Sequence, residues 1–395
     1  MLLYSSRARI FIFLAVLAVV IATFVLKEIL TQRYPSRSYY DSPPPELDVD
    51  QAKSRTNGVI FMLIAPSRIH QATLALLNVE NRFNRRLQYP YVLFTASEEE
   101  SALISEEEKQ KIDWITQGRA KLAVLTKESW DIPDFYDKSR VDNSIHTIGF
   151  SFGYRSMCRF YSGFFWKHPA LAQYDWLWRL DSDIEFHCDI PYDPIERMVD
   201  AGALYGFVQI NADAVWVQPS LARNVSEFLF DFYSSPNSAI SGSNGLPAAA
   251  TDVNHGFVWQ GKEGIEKALK GEADSTEWTK MCMYNNFEIS HRSIWESEIY
   301  TAFFKHLDRA GGLFYERWGD SPIHSFGIAM TLRKDQVMQF HDLGYQHQGW
   351  AYECPQLDRC TCLKDGAAAG VSSQSISLNF TYSCPAIEFD DQGYR

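Results

Sequence analysis

The stretch Tyr174-Asp-Trp-Leu-Trp-Arg-Leu-Asp-Ser-Asp183 decides the fold. Trp176 to Leu180 is a run of large β-favouring side chains interrupted by Arg179, the composition of a buried strand. Two carboxylates one residue apart, Asp181 and Asp183, follow it at once. In sheets whose strands run parallel, ligands gather beyond the carboxyl ends of the strands. That placement makes Asp181-Ser182-Asp183 a candidate seat for a hard cation such as Mn²⁺ or Mg²⁺, which can bridge a diphosphate. Solvated turns also contain Asp-x-Asp; the strand ahead of this one brings the two readings level.

Working outward, apolar runs from Val59 to Ile64, Tyr91 to Phe94, Lys121 to Leu125 and Tyr205 to Ile210 read as further strands. Between them a helix is expected with Leu74, Leu77 and Phe83 on one face. Ser97 opens another, with Glu100 completing a capping box, and an aromatic helix runs from Tyr154 to Lys167, stopped before Pro169. Strands alternating with helices predict an α/β class, a mixed and mostly parallel sheet flanked by helices.

Before this body, Ile10 to Leu26 is uncharged and apolar, close to the roughly 17–25 residues that span a bilayer. A cleaved signal peptide is the rival, with a shorter apolar region of about 7–15 residues. The expected layout is a cytosolic tail over 1–9, an anchor over 10–26, a polar Pro-rich stem over 27–57, and a catalytic domain over 58–395 with its face in the lumen. Cys354, Cys360, Cys362 and Cys384 cluster near the end; Cys360-Thr-Cys362 lacks the CxxC spacing of a zinc knuckle, so disulfides pinning the C-terminal segment are expected. Asn224-Val-Ser226 and Asn379-Phe-Thr381 are sequons. A net charge of −12 argues against a nucleic-acid surface, which needs clustered Lys and Arg. GxGxxG, P-loop and HExxH motifs are absent, which leaves a metal–diphosphate enzyme in view.

The blocks Tyr154 to Pro169, Tyr174 to Asp189, Asn286 to Ile289, Trp295 to Glu298 and Gly311 to His324 resemble the fungal α-1,2-mannosyltransferases of the glycolipid 2-alpha-mannosyltransferase type (glycosyltransferase family 15), as does the Cys354-Pro355 segment. The resemblance runs from about Gly58 to the C-terminus. It implies a GT-A-like fold, GDP-mannose as donor, Mn²⁺ as cofactor and retaining transfer to an α-mannoside acceptor on glycoprotein or glycolipid. It also implies a single-pass type II protein of the Golgi membrane. Asp181 stands where the family has Glu in a Glu-Pro-Asp version of the motif, and Asp183 is unchanged. His324 matches a further metal ligand, Glu288 a carboxylate assigned as nucleophile, and Tyr154 a tyrosine beside the donor phosphates.

From the residues themselves, Arg68 just past the first strand and Arg159 in the aromatic helix can each grip phosphate as a fork, or sit in ordinary ion pairs. Trp318 and Asp320 are candidates for holding the acceptor, with core packing as the competing role for the tryptophan. Two other functions fit the same chain: transfer from a different nucleotide-sugar, and a membrane-tethered lectin that has lost turnover.

Overall fold

A seven-stranded sheet organises the chain. In sequence order its members are β1 (Gly58–Leu63), β2 (Tyr91–Thr95), β3 (Ala120–Val124), β4 (Trp176–Leu180), β6 (Tyr205–Phe207), β9 (Phe287–His291) and β10 (Val337–Gln339). Their spatial order is β10-β6-β9-β4-β1-β2-β3. Strands β1 to β4 pair in parallel, as do β6 and β10, while β9 alone runs antiparallel to its neighbours β4 and β6. This is the mixed, mostly parallel sheet expected. Two small sheets complete it: β7 (Ile210–Ala212) with β8 (Met281–Met283), and β5 (Ile184–Phe186) with β11 (Tyr345–His347) and β12 (Ala351–Glu353).

The computed structural model describes residues 56–234, 255–348, 351–353 and 358–361. The chain divides into two units, Met1–Glu46 and Leu47–Arg395, and every described residue belongs to the second. The expected tail, the anchor, nearly all of the stem, Cys354, Cys362, Cys384 and the Asn379 sequon lie outside the described residues. Among the described residues no helix is long and apolar enough to cross a membrane.

Alternation along the strands builds two cores. Val59, Phe61, Leu177, Tyr205 and Phe207 point to one face, while Ile60, Met62, Trp178, Leu180 and Phe287 point to the other. The helices Phe152–Gly163, Glu298–Ala310 and Asp320–Thr331 cover the first face; Ile69–Val79 and Glu106–Thr116 cover the second. Rings carry much of the second core, where Trp178 stacks on Phe83 with centroids 4.8 Å apart. Fully burying such a side chain is worth roughly 3 kcal/mol. In the first core, a Cβ on Gly163 would fall 1.9 Å from the Phe304 ring, so a methyl there forces two helices apart.

Local differences from the sequence reading have physical causes. Leu74 is half exposed, because Ile69, Ala72, Leu76 and Val79 set the buried stripe of its helix instead. Ser97 does cap a helix, accepting from the Glu100 N–H, but that helix ends at Ala102. The full capping box belongs to Ser105 and Glu108, which open the next one. The aromatic helix is Phe152–Gly163, followed by a single 3₁₀ turn, Phe165–Lys167. The Asn224 sequon lies within the helix Leu221–Ser234, where Ser226 is buried and its hydroxyl donates to the Ala268 carbonyl.

Cys360 does form a disulfide, but its partner is Cys188, just after β5 in the body of the fold. Cys158 and Cys282 are buried and in no disulfide among the described residues.

Candidate active site

The carboxylate pair sits where β4 ends and the chain turns into β5. Its backbone is held by the Asp181 N–H donating to the Asn286 carbonyl at 3.0 Å. Strand β5 then leaves the main sheet and pairs antiparallel with β11, opposing Ile184 to His347. That register brings an imidazole from 164 positions downstream against the carboxylates. His347 Nε2 lies 3.2 Å from Asp183 Oδ1 and 3.8 Å from Asp181 Oδ2. The next residue continues the clamp: the Gln348 backbone N–H donates to the Asp183 carbonyl at 3.2 Å, and its side-chain amide to Asp183 Oδ2 at 2.9 Å. Gly344, at φ +60°, makes the turn into β11 beside Cys188, where a Cβ would meet the sulfur at 2.4 Å.

One potential ligand atom from each of Asp181, Asp183 and His347 lies within 4.8 Å of the others. Two carboxylates and one imidazole are a donor set suited to Mn²⁺ and its neighbours. The residues present therefore fit a divalent cation. His347 is the ligand that sequence reading missed. It sits in a three-residue strand with no neighbouring motif, and its partners are far away in the chain.

The two carboxylates are tuned apart. Burial works against the charge of Asp183, but the hydrogen bond and charge of His347, aided by Gln348 and Arg68, hold its carboxyl well below the usual range. Burial pushes Asp181 up, although Arg179 and His347 favour its charge. Asp183 is thus the more readily ionised of the two, and a cation between them would favour the charged form of both.

The pair opens into a cavity of about 410 Å³. Arg68 reaches it from the turn after β1 and binds Asp183 Oδ2 at 2.5 Å, with its side chain 43% exposed and so able to turn to a ligand. Arg179 forms the floor. Its Nε and one terminal nitrogen donate to Asp181 Oδ1 at 3.2 and 3.1 Å, its other nitrogen donates to Asp320 Oδ2, and its guanidinium lies 3.4 Å above the Tyr161 ring centroid. Burial of the Asp320 carboxyl is outweighed by Arg179, which holds it below the ordinary value. Tyr154 also lines the cavity, and burial raises its hydroxyl so that it remains a donor. Phe150, Arg317 and Asp213 make the opposite wall: Arg317 lies 4.4 Å over the Phe150 ring and donates to Asp213 at 3.4 Å.

The structure therefore brings Asp181, Asp183, Arg68, Tyr154 and Asp320 to one cavity, and places four other expected residues elsewhere. His324 is fully buried in the helix Asp320–Thr331. Its Nδ1 lies 2.6 Å from Glu288 Oε2, and its Nε2 meets the Tyr161 carbonyl at 2.9 Å, so neither nitrogen is directed at the carboxylate pair. Glu288 is 1% exposed on β9, accepts from the Tyr205 hydroxyl at 2.9 Å, and does not line the cavity. It stands opposite Arg179 in the β4–β9 register and so shares its face of the sheet, but His324 and Tyr205 close over its carboxylate. Arg159 makes a forked pair with Asp308 at 2.8 and 3.0 Å and donates to the Glu128 carbonyl. That spends its fork within the core. Trp318 is 1% exposed and packs against Gly312, with its indole N–H on Glu316, so it supplies core rather than a sugar platform.

A parallel α/β sheet with a carboxylate–imidazole trio beyond β4, beside arginines in one cavity, defines a glycosyltransferase-type site that takes a nucleotide-sugar through a cation. The comparisons agree and are narrower. Residues 25–384 match the family model described as glycolipid 2-alpha-mannosyltransferase, and the chain belongs to that family of mannosyl-transferring enzymes. It is 31% identical over 350 residues to the O-glycoside alpha-1,2-mannosyltransferase homolog 3 of Schizosaccharomyces pombe, covering 85% of each chain. It is 32% identical over 326 residues to the glycolipid 2-alpha-mannosyltransferase of Saccharomyces cerevisiae, covering 80% of this chain and 65% of that one. Among solved structures it superposes on core-mannan synthase A (CmsA/Ktr4) of Aspergillus fumigatus in its Mn/GDP form, with a TM-score of 0.67 and 27% identity, covering 83% of both chains.

Proposed function

We propose that this protein is a retaining α-1,2-mannosyltransferase that moves mannose from GDP-mannose to a mannose of a glycoprotein or glycolipid glycan. The observation that carries this reading is the Asp181–Asp183–His347 trio, set beside Arg68 at the carboxyl end of β4 in a cavity of about 410 Å³. The Mn/GDP form of the Aspergillus relative supports manganese and a guanosine nucleotide as the pair that the trio serves. When bound, Mn²⁺ supplies Lewis-acid neutralisation of the diphosphate leaving group.

The chain's own residues do the rest. Asp181, Asp183 and His347 hold the cation, and Arg68 turns from Asp183 to the phosphates as they arrive. Arg179 holds Asp181 in place and, with Asp320, forms a neutralised floor. Tyr154, kept protonated, donates to a phosphate or hydroxyl oxygen.

Glu288 lies behind this floor, so the reading favoured here makes no covalent bond to it. The acceptor hydroxyl attacks C1 on the face from which the diphosphate departs: the C1–O bond to phosphate breaks, the C1–O bond to the acceptor forms, and a phosphate oxygen takes the proton.

The apolar run over 10–26 and the Cys188–Cys360 disulfide support an anchored protein with its body in an oxidising lumen, which we read as the Golgi. The decisive assay uses the full-length protein in detergent with a panel of nucleotide-sugars and an α-mannoside, with and without EDTA, followed by NMR of the product anomer. The expected result is EDTA-sensitive GDP release from GDP-mannose and an α-linked product. Turnover with UDP-sugars alone would refute the donor, a β-linked product would refute retention, and no turnover with any donor would favour a lectin.

A further inference from the structure

The geometry points to Tyr284 as a positioning residue for the metal site, one whose hydroxyl oxygen can accept the Nδ1 proton of His347 and so support the tautomer that leaves Nε2 free to ligate. The inference rests on the reading of Asp181, Asp183 and His347 as metal ligands.

The turn after β8 places Tyr284, its backbone N–H donating to the Gln209 carbonyl at 2.8 Å. Its ring packs edge-on against the His347 ring, with centroids 5.4 Å apart at 84°. Its hydroxyl lies 3.1 Å from His347 Nδ1. The other nitrogen, Nε2, is the one facing both carboxylates. Only Nε2 can therefore ligate a cation at the trio, and it can do so only with its lone pair bare.

A neutral imidazole carries one proton. If Nε2 is to be bare, that proton must sit on Nδ1 and needs an acceptor there, which the Tyr284 oxygen supplies. Without the cation Nε2–H can face Asp183, with the Tyr284 oxygen at hydrogen-bond distance from Nδ1. A hydroxyl can play both parts because it is at once donor and acceptor. Tyr284 thus accommodates both tautomers and stabilises the ligating one once a cation arrives.

Outer partners of this kind typically account for about 10–100-fold in metal affinity. Tyr284→Phe keeps the ring and its edge-on packing and removes only the hydroxyl. The test titrates Mn²⁺ alone into the full-length protein in detergent and follows the free-ion EPR signal, with metal-free thermal melting alongside. The expected result for Tyr284→Phe is a Kd raised about 10-fold or more, with a metal-free melting temperature within about 2 °C of the parent. His347→Ala is expected to weaken Mn²⁺ at least as much. Unchanged Mn²⁺ affinity in Tyr284→Phe, with weakened binding in His347→Ala, would overturn the role of the tyrosine and leave the metal site standing. Unchanged affinity in His347→Ala would overturn the metal site itself. A Tyr284→Phe protein whose melting temperature falls along with its affinity would make the residue a packing element and overturn the inference.

Discussion

Glu288→Gln separates chemistry from architecture more sharply than any other change to this chain. The side chain is nearly isosteric, and only its charge and one acceptor are altered. Two groups converge on a single oxygen of Glu288: the Tyr205 hydroxyl at 2.9 Å and His324 Nδ1 at 2.6 Å. His324 Nε2 meets the Tyr161 carbonyl, so its Nδ1 is left to hydrogen-bond the Glu288 carboxyl group. An amide cannot reproduce both contacts. If its oxygen accepts from Tyr205, His324 needs a proton on each nitrogen and becomes a buried cation; if its NH₂ donates to Nδ1, Tyr205 loses its acceptor. One charge-assisted hydrogen bond worth about 1.5–3 kcal/mol becomes a neutral one worth about 0.5–1.5, or a donor is left unpaired at about 1–3. A net loss of about 1–3 kcal/mol follows, measurable as a melting temperature lowered by several degrees. Turnover is a separate matter. With Glu288 outside the cavity, kcat for GDP release at a temperature where the variant is folded should fall within about 10-fold, whereas removing a covalent nucleophile costs on the order of 10⁴-fold or more. A variant of near-parental stability that has lost four orders of magnitude in kcat would refute the placement of this carboxylate outside the reaction.

Asp183→Ala should abolish Mn²⁺ binding and turnover together, measured by EPR titration and GDP release, since it removes the carboxylate that His347, Gln348 and Arg68 all contact. Arg159→Ala should cost about 3–5 kcal/mol by stranding Asp308 in a half-made buried pair, while KM for GDP-mannose stays at the parental value in protein that remains folded; a raised KM would return Arg159 to the donor site. Asp183 and Asp320 both have depressed carboxyl pKa values in the folded state. Their contribution to stability is complete above the unfolded value of about 4 and drains away as pH falls below it. Metal-free melting temperatures should therefore decline below about pH 4, and less so in Asp183→Asn. Breaking Cys188–Cys360 opens a loop spanning 172 positions, for which chain entropy gives about 5 kcal/mol. Cys188→Ser should melt far lower and bind Mn²⁺ more weakly, because the strand bearing His347 lies between the bridge and the carboxylates.

Sequence carried the sheet further than it carried the site. Trp176 to Leu180 was legible as a strand from its side chains alone, and with it the position of Asp181 and Asp183, because strand, turn and carboxylates are contiguous. Arg68 was legible for the same reason, lying just beyond β1. His347 was not: its nearness to Asp183 is created by antiparallel pairing of β5 with β11, two three-residue strands whose register no local pattern announces. His324 drew attention through its place in a family block, and the block is indeed close to the site, but Asp320 stands in the first turn of its helix at the cavity, while His324, one turn further along the same face, is buried against Glu288. Glu288 and Arg159 were misplaced by the limit that leaves a lone polar residue undetermined: chain position does not say whether it faces a cavity or meets a partner across a sheet. Period also failed at Leu74, because the packed face of that helix runs through Ile69, Ala72, Leu76 and Val79 and leaves Leu74 outside it.

The pairing of β5 with β11 has a consequence in time as well as in space. A chain emerging in sequence order presents both aspartates long before the imidazole exists, and a product ending ahead of residue 345 would keep the sheet's carboxylates without their third partner. Cys360, which closes the bridge to Cys188, arrives later still. Metal competence therefore reports how far synthesis has run: the ion can be held by all three ligands only by a molecule carried past residue 347.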